Sequence, residues 1–192
     1  MKLVIFTDGG SRGNPGIAGS GTVIYNENHE VIETIADYLG NKLTNNVAEY
    51  QGLINGLEAA ARRGASEVAV FMDSKLVVNQ MNGTWKIKHA DMQKKAITAK
   101  DLEKQIGKVT YEWVPRAKNK RADELANEAM DARETFHHIY DDAQAEAEQY
   151  NPEPSKVVDG GRQEEILSIE PLILDFDAEE EKTKVETKTK AE

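Results

Sequence analysis

Short apolar runs of strand type alternate along this chain with stretches whose apolar residues return every three or four positions. That alternation admits a sheet with helices packed against it and little else. The runs KLVIFT (residues 2–7), GSGTVIYN (19–26) and VIETIADYL (31–39) are joined by turn-like links, which predicts three strands in a meander. At Asn45 the period switches. Val47, Tyr50, Ile54, Leu57 and Ala61 fall on one helical stripe, and Gly64 stands where such a helix stops. EVAVFMDS (67–74) predicts a fourth strand, KLVVNQMNG (75–83) a short helix closed by glycine, and HADMQKKAITAKDLEKQIG (89–107) a longer amphipathic one. KVTYEWVP (108–115) predicts a fifth strand halted by proline. NKRADELANEAMDA (119–132) predicts a last helix with Asn119 as its N-cap and Ala122, Leu125, Ala126, Ala129 and Met130 on its packed side. The expected class is mixed α/β, a five-stranded mixed sheet flanked by helices in the order β-β-β-α-β-α-α-β-α.

Charge marks the domain boundary. The 192-residue chain has a formal net charge of −10, which by itself argues against an anionic partner. Residues 1–131, however, contain 17 Lys plus Arg against 17 Asp plus Glu, whereas residues 132–192 contain 7 against 17. The excess belongs to the C-terminal segment, so a neutral domain keeps its cations available for phosphates. We expect one domain over residues 1–135 and an acidic, largely disordered tail over 136–192. The tail holds one apolar island, ILSIEPLILDF, which is either a transient contact with the domain or a docking motif for an unknown partner. There is no cysteine, hence no disulfide framework and no thiolate chemistry. No apolar run has the length of a signal peptide or a membrane span, so the expectation is a cytoplasmic protein, monomeric and without a membrane partner.

Four acids stand where an acid is awkward. Asp8 and Asp73 end apolar strands, where a buried carboxylate is costly without compensation. Glu49 sits early in the first helix, off its apolar stripe, and Asp123 lies in the first turn of the last one. Singly, each has an ordinary explanation, as a turn initiator or a partner of the helix dipole. If the first and fourth strands are neighbours, all four converge on one sheet edge. Crowded carboxylates repel and raise one another's pKa unless a multivalent cation neutralises them. Oxygen ligands without His or Cys select Mg²⁺, with Mn²⁺ as a substitute, and two such ions suit in-line phosphoryl transfer.

Four segments carry a family resemblance. FTDGGSRGNPG, TNNVAEYQGLINGL, VFMDSKLVVNQMNG and VPRAKNKRADELAN resemble, in that order and across residues 1–131, the four motifs of type I ribonuclease H. They are most similar to the ribonuclease H domain that some relatives carry ahead of a phosphatase domain, a domain not expected here. The resemblance implies a ribonuclease H-like fold and endonucleolytic hydrolysis of the RNA strand of RNA–DNA hybrids, leaving 5′-phosphate and 3′-hydroxyl ends. It implies that Asp8, Glu49, Asp73 and Asp123 are the catalytic and metal-holding set for two Mg²⁺ ions, with Asp8 shared between them. It further implies that Asn14, Asn45 and Asn46 read RNA 2′-hydroxyls in the minor groove, and that Lys42 and Thr44 grip a phosphate of the DNA strand. Two departures bear on this. The loop before the last aspartate, PRAKNKRAD, lacks the histidine of many members and leaves Arg116 as the nearest candidate for an electrostatic role there. The basic handle of some members is also missing. In its place GTWKIKHADMQ offers Trp85, Lys86, Lys88 and His89, either to the DNA strand or merely as a core edge and solvated surface. The alternatives are another nuclease of the same fold, a non-catalytic hybrid-binding module, and an interaction protein with a structural Mg²⁺ site. Adjacent His137 and His138, on an expected helical extension, point apart and form no metal pair.

Overall fold

A computed structural model describes residues 1–140; the acidic tail expected beyond them, with its apolar island, lies outside the described residues. Strands β1 (Lys2–Arg12), β2 (Gly16–Tyr25) and β3 (Val31–Leu43) form the meander, followed by α1 (Asn45–Arg62), β4 (Glu67–Met72), α2 (Lys75–Met81), α3 (Ala90–Ile106) and β5 (Lys108–Trp113). A 3-10 turn over Arg116–Lys118 leads into α4 (Lys120–Ala132), and β6 (Phe136–Ile139) closes the described part.

The sheet order is β5-β4-β1-β2-β3-β6. β1 pairs antiparallel with β2 and parallel with β4, which makes the sheet mixed, as the sequence predicts. Alternation along β2 shows how its two faces are used. Ile24 joins Leu53, Leu57, Val68, Val70 and Ala99 in the larger core, under α1 and α3, while Val23 joins Leu125 and Ala129 under α4. Leu53 and Leu57 are fully buried, and truncating either to alanine would cost about 2–5 kcal/mol.

The strand count is six rather than five. Phe136–Ile139 pairs antiparallel with β3, matching Ala36 to Phe136 and Glu33 to Ile139, so the described fold runs past residue 135. Helix α4 stops at Ala132 because Arg133 takes a left-handed conformation, φ 52°, and turns the chain back toward the sheet edge. His137 and His138 therefore lie on a strand and not on a helical extension. Successive side chains point to opposite faces of a strand, and His137 Nε2 sits 2.6 Å from Oε1 of the fully buried Glu33, which also binds Arg62 at 2.6 Å and Arg63 at 2.8 Å. No apolar period could announce a four-residue strand held by pairing with β3 and one His137 contact to Glu33.

Candidate active site

Strand register brings the first two acids together. β1 and β4 run parallel in a pairing that ends at Thr7 opposite Met72, so Asp8 and Asp73 are the next residue on each side. Beyond that point β1 continues with β2 alone, and the sheet opens at the carboxyl ends of two parallel strands, where open α/β sheets place their ligands.

Glu49 arrives through close backbone packing. A Cβ on Gly9 would lie 2.3 Å from the Ala48 carbonyl carbon and 2.4 Å from the Glu49 nitrogen, so only glycine lets the first turn of α1 come down beside Asp8. Thr44 caps this helix, its Oγ1 accepting from the Val47 N–H at 3.4 Å. Gly21 plays the matching part on the other face. A Cβ there would stand 1.9 Å from the Ala122 carbonyl oxygen, so glycine is what lets α4, and with it Asp123, seat on the sheet.

Carboxylate oxygens of Asp8, Glu49 and Asp73 all lie within 4.8 Å of one another. Asp8 is buried, and the other two are half-buried. Burial is the largest cause that lifts the Asp8 pKa from 3.8 to about 7; the nearby Asp73 charge and, more weakly, Asp123 add to it, against a hydrogen bond donated by Gly9 N–H at 2.9 Å. Burial likewise pushes Glu49 well above its usual range, with Asp8 and Asp73 adding to the effect. One Glu49 oxygen, Oε2, is buried with no hydrogen-bond partner among the described residues. Repelling, desolvated and partly unpaired carboxylates fit a hard divalent cation, which supplies the missing positive charge and takes up the free oxygen.

Asp123 stands outside this triad. It is half-buried, and its Oδ1 lies 3.4 Å from Nη2 of the exposed Arg116. The four predicted acids thus resolve into three that share a centre and one beside it, close enough for its charge to act on Asp8.

Two of the amides expected to face RNA join the β1–β2 loop to the start of α1, the helix that carries Glu49. Asn14 Oδ1 accepts from the Asn45 N–H at 3.2 Å, and Asn45 Oδ1 accepts from the Ser11 N–H at 2.6 Å, which stitches the β1–β2 loop to the start of α1. Asn14 and Asn45 are exposed, Asn46 half-buried, Lys42 exposed and Thr44 half-buried. Arg12, the last residue of β1, reaches α4 through Asp131 at 2.6 Å. Trp85, 49% exposed, lies with exposed Lys86 and Lys88 on the connector between α2 and α3. That connector is anchored from below: Tyr50 O–H donates to Gln80 Oε1 at 2.7 Å, and Gln80 Nε2 donates to the Lys86 carbonyl at 3.1 Å.

Asn119 differs from its expected role. It occupies the N-cap position of α4 but makes no side-chain cap. Its Nδ2 turns inward and donates to the Thr7 carbonyl at 2.9 Å and to Asp73 Oδ1 at 3.3 Å. Trp113, which sequence reasoning passed over, donates from Nε1 to the Asp73 carbonyl at 3.2 Å. Its position at the end of β5 beside an acid-ending β4 is the one signal that pointed to it.

A family profile described as reverse transcriptase-like matches residues 6–129. The bifunctional protein Rv2228c of Mycobacterium tuberculosis is 54% identical over 132 residues, which is 69% of this chain and 36% of that protein. The chain therefore spans about a third of the length of that relative. A ribonuclease H of Lachnoclostridium phytofermentans is 33% identical over 153 residues, covering 68% of this chain and 93% of that protein. The crystal structure of LC11-RNase H1 in complex with an RNA/DNA hybrid superposes with a TM-score of 0.65 at 41% identity, covering 68% of this chain and 98% of that one.

Proposed function

This chain belongs to the ribonuclease H family, and from that premise we propose that it is an endonuclease that hydrolyses the RNA strand of RNA–DNA hybrids with divalent metal ions. The observation that carries the reading is the cluster of Asp8, Glu49 and Asp73 within 4.8 Å, with a buried Glu49 oxygen left unpaired. Asp8, Glu49 and Asp73 would hold one Mg²⁺, and Asp123 would help Asp8 hold a second, with Mn²⁺ as a substitute. Bound there, such ions lower the pKa of water and offset charge on the scissile phosphate.

The chain's own groups supply the rest. Water attacks phosphorus in line, the P–O3′ bond breaks, and the products carry 5′-phosphate and 3′-hydroxyl ends. Arg116, a guanidinium beside Asp123, adds positive charge where the leaving strand departs. Asn14 and Asn45 commit their carbonyl oxygens to backbone N–H groups, which leaves their amide nitrogens to donate to RNA 2′-hydroxyls; Asn46 completes the row. Lys42 and Thr44 take a DNA phosphate, and Trp85, Lys86 and Lys88 contact the same strand by stacking and charge. The hybrid bound in the LC11-RNase H1 structure supports this choice of substrate. The reading includes a monomer acting in the cytoplasm, and a single folded domain with the acidic tail dispensable for catalysis.

Purified protein assayed on RNA–DNA, RNA–RNA and DNA–DNA duplexes tests this. Only the hybrid should be cut, only with Mg²⁺ or Mn²⁺, and Asp8→Asn should abolish cutting while leaving the fold intact. Full activity of Asp8→Asn, or activity undiminished by chelator, would overturn the metal reading.

A further inference from the structure

We infer that Asn119 is a positioning residue of the carboxylate site, whose buried amide holds the Asp73 side chain and the β1 backbone next to Asp8 at the spacing a divalent cation requires. The inference rests on the metal reading above.

Three contacts make the case. Asn119 Nδ2 donates both to the carbonyl of Thr7, the residue before Asp8, and to Oδ1 of Asp73. The Asn119 backbone carbonyl accepts from the Asp123 N–H at 3.1 Å. One residue is thereby tied to the β1 backbone beside Asp8, to the Asp73 carboxylate, and to the helix turn that carries Asp123. The orientation of the amide follows from its neighbours. Both groups that face it are acceptors, so the nitrogen must point at them; reversed, the amide would set its oxygen against a carbonyl and a carboxylate.

That orientation leaves Asn119 Oδ1 sealed in a residue only 1% exposed, with no hydrogen-bond partner among the described residues. A buried, unpaired carbonyl is a cost to the fold. Capping does not account for it, because the side chain makes no cap. What the amide does provide is a fixed direction for one Asp73 oxygen. The Trp113 indole N–H holds the carbonyl of the same residue, so Asp73 is restrained at both its backbone and its side chain. Carboxylates that repel one another drift apart unless restrained, and a metal site gains affinity when its ligands are held in place by neighbours that do not themselves bind the ion.

Calorimetric titration of the full chain with Mg²⁺ alone, compared with Asn119→Leu, tests the inference. Leucine keeps most of the volume and removes the donor. We expect Mg²⁺ affinity to fall at least tenfold, and the Mg²⁺ concentration for half-maximal hybrid cleavage to rise by the same factor, with KM for the hybrid within about twofold of the parent. A role confined to folding would lower the urea midpoint and leave Mg²⁺ affinity of the folded fraction unchanged. Should Asn119→Leu fail to fold, Asn119→Ser decides, being small enough to accommodate and too short to reach Asp73; the same tenfold loss is expected. Parent-like Mg²⁺ affinity in either folded variant would overturn the inference alone. A parent protein that binds no Mg²⁺ at this site, giving the same titration as Asp8→Asn, would overturn the metal reading and this inference with it.

Discussion

Removing the charge of Asp8 should make the metal-free protein more stable, although it removes the centre of the proposed chemistry. The folded protein holds the Asp8 proton up to about 7, whereas the ordinary value is 3.8. Between those two values the folded state binds more protons than the unfolded state, so stability falls as pH rises through that window, and the whole deficit is present above 7. A gap of about 3 pH units at about 1.4 kcal/mol each amounts to about 4 kcal/mol. Asp8 is 6% exposed, so solvent screening removes little of this. The asparagine introduced by Asp8→Asn keeps an oxygen to accept from the Gly9 N–H, and gains an N–H₂ that can donate to Asp73 or Glu49. Urea unfolding in chelator should therefore find Asp8→Asn about 4 kcal/mol more stable than the parent at about pH 8. For a domain of this size that corresponds to a thermal midpoint higher by about 12 °C. At about pH 4 the two proteins should converge. Saturating Mg²⁺ should raise the parent's midpoint and leave the variant's nearly unmoved. Equal or lower stability of Asp8→Asn in chelator at pH 8, or a gap as large at pH 4, would refute the argument that desolvated, mutually repelling carboxylates strain this site.

Gly9→Ala should cost about 2–3 kcal/mol by overpacking and lower kcat for the hybrid more than tenfold, because a Cβ 2.4 Å from the Glu49 nitrogen pushes α1 off the site; circular dichroism and steady-state kinetics check both, and kinetics unchanged from the parent would refute the packing argument. Glu33→Ala should destabilise the fold by about 2–3 kcal/mol, less than a fully buried ion pair would, because Arg62 and His137 side chains are 54% and 42% exposed. Its kcat should stay within about twofold of the parent's, since Glu33 lies on β3, two strands from β1, and pairs through Ile24 with the level of Ile5 rather than that of Asp8, and urea denaturation alongside cleavage assays separates the two effects. A protein ending after Tyr140 should cut the hybrid at the parent rate. One ending after Arg133 loses β6 and the His137 contact with Glu33, and urea unfolding should find it less stable by about 1–3 kcal/mol.

Much of this architecture is legible in local pattern. The switch from strand-type runs to helical stripes marks five of the six strands and all four α-helices of the described residues, because burying one face of each element forces apolar residues onto a fixed period. Asp8, Glu49, Asp73 and Asp123 stand out for the converse reason, as acids at positions where the period calls for burial or an element's end. Local pattern could not show β6, whose four residues are too few for a period and whose place on the sheet comes from pairing with β3 and the His137 contact with Glu33. Nor could it separate Asp123 from the triad: local pattern singles out four acids that converge only if the first and fourth strands are neighbours, while the register that ends at Thr7 and Met72 and the approach of α1 over Gly9 settle which three meet. Asn119 marks the same boundary. Its identity suits a helix cap, and only the arrival of two acceptors from distant strands, Thr7 on β1 and Asp73 after β4, decides that its amide turns inward. Short-range periodicity is set by the burial of each element alone, whereas a hydrogen bond between residues 112 positions apart exists only once the sheet has brought them together.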